Sequence, residues 1–208
     1  MQSEITVQVL CDRETLFQLL RSKGFKYMAK LNIHDYYYTH MSMDKNIDFK
    51  DLASNSFLLR DLRCADFKSR KKSIMYTRLT YKKKEFDLNN KVVSEKKIAT
   101  DICDVGTANI ILQSAGLTNW CTKHAIGYGF IRGGQYILVQ EVEGLGLYME
   151  VEQFDYQKGS EDEILDELVE FVNELEIPVG TNYHESISYL LHLKTNKKVK
   201  FGFNPSVK

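Results

Sequence analysis

The chain nearly repeats itself. Laid over one another without gaps, two segments pair Cys11 with Cys103, Asp12 with Asp104, Thr15 with Thr107, Leu20 with Leu112, Ser22 with Ser114, Gly24 with Gly116 and Tyr36 with Tyr128. After a change of offset the likeness resumes, with "FLLRDL" over "ILVQEV" and "LTYKKKEFD" over "LYMEVEQFD". Both halves run through strand, helix, hairpin and last strand in the same order. Two copies are too few for a solenoid, whose units stack on like neighbours. The repeat predicts a duplicated half that closes on its partner, the halves lying at about residues 1–90 and 91–208 of a single domain.

Local patterns fill in that plan. "SEITVQVLCD" alternates apolar and polar residues, the period of a half-buried strand. In "DRETLFQLLRSKGF" Asp12 reads as a helix N-cap, Leu16, Leu19 and Leu20 as the apolar face, and Gly24 as the stop. "DVGTANIILQSAGL" repeats this with Asp104 as cap and Gly116 as stop. A further helix is written in "SEDEILDELVEFVNELEI", where Ser160 and Glu163 form a capping-box pattern and Ile164, Leu168, Phe171, Val172 and Leu175 an apolar stripe. The class predicted is α+β. The stretch from His40 to Asn55 reads as a lid or an unstructured connection, and "KSRKK" at residues 68–72 as a solvated hairpin turn.

Composition removes several functions. Lys and Arg number 28 and Asp and Glu 28, so the formal charge is zero, whereas proteins dedicated to nucleic acid or membrane surfaces are normally basic. Every apolar run is broken by charge well short of a bilayer span. Cys11, Cys64, Cys103 and Cys121 show no C-x-x-C pair and no metal spacing; without a secretory leader they read as reduced thiols of a cytoplasmic protein. The five histidines show no ligand spacing either.

The superposition of the two copies says most at the last strand. In "GLGLYMEVEQFD" Leu147, Met149 and Val151 fall on one side and Glu150 and Glu152 on the other. The repeat lays Lys82 on Glu150 and Lys84 on Glu152. If the halves face each other, one cavity receives glutamates from one wall and lysines from the other. The carboxylates then hold a hard divalent cation, and the lysines with Arg60 hold the phosphates of a polyanion. Salt-bridged strands on the outside of a barrel produce the same alternation, and alternation by itself leaves both readings open.

These residues resemble a known family. "ILVQEVEGLGLYMEVE", followed by an amphipathic helix and "SISYLLHL", is similar to the C-terminal signature of CYTH-domain proteins. These triphosphate tunnel metalloenzymes include class IV adenylyl cyclases and thiamine triphosphatases, and their pattern is approximately L-D-x-V-x-G-L-G-x-F-x-E-x-E. The opening strand, "FLLRDL" and "YKKKEFD" fall in the family's order, so the resemblance spans nearly the whole chain. It implies a closed antiparallel β-barrel, a tunnel built from two pseudo-symmetric halves with flanking helices. Inward Lys and Arg side chains hold a triphosphate there, and inward glutamates hold Mg²⁺ or Mn²⁺.

Position by position, the resemblance implies Glu4, Glu150 and Glu152 as metal ligands and Arg60, Lys82, Lys84 and Lys123 as phosphate-binding cations, with no catalytic residue assigned. Other family positions are altered. Thr6 and Gln8 replace a glutamate and the lysine of the opening E-x-E-x-K strand. Leu58 stands where the L-R-x-R strand has a second arginine, Ala125 replaces the arginine after Lys123, and Gln140 replaces the L-D-x-V aspartate. Where the family has alternating acids, "EKKIATD" offers Lys97 and Ala99 and leaves Asp101 alone. Three carboxylates suit one ion, completed by water and phosphate oxygens, better than two.

The activity this implies is metal-dependent hydrolysis of a small triphosphate: tripolyphosphate, thiamine triphosphate or a nucleotide. Neither nucleic acid nor membrane is expected as a partner, and the reading leaves room for a homodimer. Two alternatives stand beside it. One is a phosphate- or nucleotide-binding or scaffold module without turnover. The other is a class IV-type adenylyl cyclase, which must also bind a base and ribose and help deprotonate a hydroxyl; Gln8 and Gln140 weaken both reactions, and the hydrolase asks least of the site.

Overall fold

The computed structural model describes residues 4–40, 48–67, 75–86, 92–152, 161–183 and 186–195. In chain order the elements are β1 (Glu4–Gln8), α1 (Arg13–Ser22), β2 (Lys26–Thr39), α2 (Phe49–Ser54), β3 (Asn55–Phe67), β4 (Met75–Phe86), β5 (Val92–Asp101), α3 (Val105–Ser114), β6 (Thr118–Arg132), β7 (Gln135–Val142), β8 (Gly146–Glu152), α4 (Glu161–Glu174) and α5 (Ile187–Thr195). The strands form one eight-stranded antiparallel sheet in the order β1-β8-β7-β6-β2-β3-β4-β5. The class is α+β, as predicted.

The chain divides into two compact units. The first comprises Met1–Ile33, Arg63–Ile74 and His124–Ser186; the second comprises His34–Leu62, Met75–Lys123 and Ile187–Lys208. One copy of the repeated helix falls in each, and the two copies are built alike. Asp12 accepts hydrogen bonds from the Glu14 and Thr15 amides at 2.9 and 3.0 Å, and Asp104 accepts one from the Thr107 amide at 2.6 Å. Both helices end in a Schellman motif. Gly24 donates to the Arg21 carbonyl and Phe25 to Leu20; Gly116 donates to Gln113 and Leu117 to Leu112. Both glycines sit at φ +85°, a region that penalises any Cβ.

In the first unit alternation sets the core. Ile5, Val7 and Val9 of the opening segment, Ile137 and Val139 of β7, and Met149 and Val151 of β8 are buried on one sheet face. The amphipathic faces of α1 (Leu16, Leu20) and α4 (Phe171, Val172) close over them. Each such side chain withdrawn from water contributes roughly 1.5–3 kcal/mol. The core therefore commits β1, β7 and β8 to one register, and their remaining side chains to the opposite face. In the second unit Tyr38, Leu59 and Leu112 form a smaller core, with Phe57, Leu79 and Val105 packed against it.

One expectation needs correcting. Part of the stretch read as a lid or unstructured connection is the helix α2. Asp48 caps it by accepting from the Lys50 amide at 3.1 Å, and Leu52 and Ala53 are buried. A helix of six residues is too short to display a 3.6-residue period in sequence. Ser160 of the expected capping box and the basic run at 68–72 lie outside the described residues. Among the described residues no helix is long and apolar enough to cross a membrane.

Candidate metal centre

The non-core face of β1, β8 and β7 carries the polar residues in rows. Register pairs Glu4 with Glu152 and Glu152 with Tyr136; Thr6 with Glu150 and Glu150 with Leu138; Gln8 with Tyr148 and Tyr148 with Gln140. The sequence placed Glu150 and Glu152 on one face. The register adds Glu4 beside them, and one carboxylate oxygen from each of the three lies within 4.8 Å of the others. Glu4 is exposed, and Glu150 and Glu152 are half-buried.

The donor set suits a hard cation. Oxygens bound to one ion at about 2.1–2.4 Å stand at most about 4.2–4.8 Å apart across it, so small side-chain rotations bring all three carboxylates onto an Mg²⁺-, Mn²⁺- or Ca²⁺-sized centre. Like charges directly opposite on neighbouring strands repel, and a cation held between them offsets that repulsion.

Two neighbours of the carboxylates are set by this face. Gln140 is only 1% exposed, and its Nε2 donates to Glu150 Oε2 at 2.7 Å. The residue that reads in sequence as a lost acid is a hydrogen-bond donor to a retained one. Tyr136 lies over Gly129, where a Cβ would come within 2.8 Å of the phenol oxygen. Burial, and then the charges of Glu152 and Glu150, push the Tyr136 phenol up to about 12. It stays a neutral donor throughout the physiological range.

The expected cations lie in the second unit. Arg60 and Lys123 meet at a residue that sequence reasoning passed over. Asp35 of β2 is fully buried. It receives Arg60 Nε on Oδ1 at 2.7 Å and Nη2 on Oδ2 at 2.9 Å, with Lys123 Nζ on Oδ2 at 2.7 Å. Lys123 is itself 3% exposed, whereas the Arg60 side chain keeps 31% of its surface. The only sequence signal for Asp35 was an acid inside the aromatic run "HDYYYT".

Lys82 and Lys84, half-buried, alternate along β4 with the exposed Lys83. The same alternation puts Arg78 on their side of the strand, another cation that the sequence reading missed. Its guanidinium lies 4.2 Å from the Tyr76 ring centroid, and its Nε donates to Asp101 Oδ1 at 2.8 Å. Asp101, the remaining acid of the β5 strand, is thus engaged by Arg78, while Lys97 and Ala99 stand in register with Lys82 and Thr80. His192 is buried, and burial lowers its pKa, so it is a neutral core residue.

No protein-family description matches the chain, and no curated protein does. Solved structures do. The PH1819 protein of Pyrococcus horikoshii superposes with a TM-score of 0.68 over 94% of this chain and 99% of its own, at 23% identity. A proposed adenylate cyclase of Vibrio parahaemolyticus gives 0.65 over 91% and 97%, at 14% identity. A chain of the Schizosaccharomyces pombe Mediator head module gives 0.51 over 86% and 98%, at 8% identity. At these identities the property shared is the fold.

Proposed function

We propose that the protein binds a small triphosphate-containing molecule through one divalent ion and hydrolyses it. The observation that carries this is the meeting of Glu4, Glu150 and Glu152 within 4.8 Å on a sheet face whose reverse is closed by core. Three carboxylates gathered by register repel one another, and a bound cation turns that repulsion into attraction. The "EGLGLYMEVE" signature and the CYTH-like fold support the same assignment.

An Mg²⁺ or Mn²⁺ ion bound there would neutralise phosphate charge and polarise the terminal phosphoryl group. The rest falls to the chain's own side chains. The second unit presents Lys82, Lys84 and the exposed part of Arg60, which suit phosphate oxygens. Hydrolysis then rests on positioning and charge neutralisation, and needs no protein nucleophile.

A second reading has its own observations. Asp35 already engages Arg60 and Lys123, two of the four expected phosphate-binding cations. A chain of the Mediator head module has the same fold. Both favour a module that holds a phosphate ligand or a partner without turnover. The adenylyl cyclase reading has the Vibrio neighbour in its favour.

The test is incubation with tripolyphosphate, thiamine triphosphate or ATP in the presence of Mg²⁺ or Mn²⁺. Metal-dependent phosphate release that Glu150→Ala abolishes supports the hydrolase. Cyclic AMP with pyrophosphate supports the cyclase, and saturable metal-dependent binding without product supports the module. With neither binding nor turnover the triphosphate reading fails.

A further inference from the structure

We infer that Gln140 is a positioning residue for the metal centre: its buried side-chain amide holds Glu150 in the orientation in which it meets Glu4 and Glu152. This rests on the metal reading above and concerns how the chain prepares that site. Gln140 stands in register with Tyr148, one step along β8 from Glu150 on the same face, so its side chain reaches diagonally to the carboxylate. The bond is short, 2.7 Å, and its acceptor is a carboxylate, which makes it stronger than a bond between neutral groups. The side chain is almost fully buried, so the amide exchanges little with water. On β6 the residue opposite Gln140 is Gly127, and the three atoms nearest to a Cβ there belong to the apolar side chains of Ile33, Leu138 and Leu31.

The physical effect is preorganisation. A glutamate on a strand has three side-chain torsions to order when an ion binds, and the loss of that freedom weakens binding. Gln140 settles those torsions of Glu150 before any ion arrives. An aspartate in its place would set another negative charge against Glu150; the amide donates a hydrogen bond instead. Partners that hold a metal-ligating carboxylate typically matter about 10–100-fold in metal affinity.

The experiment is calorimetric titration of Mn²⁺ alone into the full-length protein and its variants. Wild type binds saturably, Glu150→Ala loses binding, and Gln140→Leu binds about 10–100-fold more weakly. Gln140→Leu binding as tightly as wild type, with Glu150→Ala silent, overturns the positioning role and leaves the metal reading intact. No binding by wild type overturns the metal reading itself. Should Gln140→Leu fail to fold, the wild-type protein still decides. The side-chain amide resonances of Gln140 must shift during an Mg²⁺ titration with the midpoint of metal binding, and unmoved resonances overturn the inference.

Discussion

Arg60 grips both carboxylate oxygens of Asp35, at 2.7 and 2.9 Å, while Lys123 reaches Oδ2 from the other side at 2.7 Å. Burial acting alone would push the Asp35 carboxyl up. Lys123, and then Arg60, outweigh it and hold the group well below the usual carboxylate range. The cluster is therefore one anion between two cations, with Lys123 sealed inside.

Removing the anion strands Lys123. Asp35→Asn is expected to destabilise the protein by about 3–5 kcal/mol, the usual effect of breaking one side of a buried ion pair. Lys123→Met alone is expected to be similarly harmful, and the double variant to recover part of the loss, because it leaves no buried charge unpaired. Urea unfolding of the four proteins closes this cycle. Additive losses would show that the pair is not coupled.

Acid stability follows from the same group. The folded carboxyl of Asp35 titrates below its unfolded value of 3.8, so the unfolded chain takes up the proton first. Its contribution is present above that value and drains away as pH falls below it. Unfolding free energy measured from pH 6 downward should drop more steeply below about pH 4 in wild type than in Asp35→Asn. Parallel curves would contradict the assignment.

Glu4 and Glu152 face one another across β1 and β8. Glu152→Gln relieves their repulsion, so the metal-free variant should melt at or above wild type. Mn²⁺ should raise the melting temperature of wild type and leave the variant almost unchanged, since a ligand stabilises only the state that binds it. Scanning calorimetry with and without chelator tests both. Equal Mn²⁺ shifts in the two proteins would remove Glu152 from the ligand set.

Gly24 and Gly116 hold the same left-handed conformation at the ends of α1 and α3. Gly24→Ala and Gly116→Ala should each cost about 1–2 kcal/mol, the penalty of placing a Cβ at positive φ. Among the described residues no side-chain atom lies closer than 3.6 Å to where a Cβ would stand at either site, so the backbone term dominates. Denaturant midpoints of the two variants measure whether the repeated motif carries the same strain in both copies.

Much of the fold was legible because its causes are local. Asp12 with Gly24 and Asp104 with Gly116 act within one helix each, and all four do what their positions predict. The helix α2 escaped because six residues around Leu52 and Ala53 carry no period to read. The candidate site was legible in part. Glu4, Glu150 and Glu152 were named together and do gather on one face, but Gln140 was read as an absence, and Asp35 was hidden among tyrosines because its partners lie on β3 and β6.

By itself the sequence determined that Glu150 and Glu152 share a face, since alternation along a strand is a property of covalent geometry. It also determined which residues start and stop the repeated helices. Only the tertiary structure decided that Glu4 stands across from Glu152, that Gln140 holds Glu150, and that Asp35 engages Arg60 and Lys123. Strand register and long-range ion pairs depend on which distant segments bury their apolar faces together, and no single stretch of the chain contains that information.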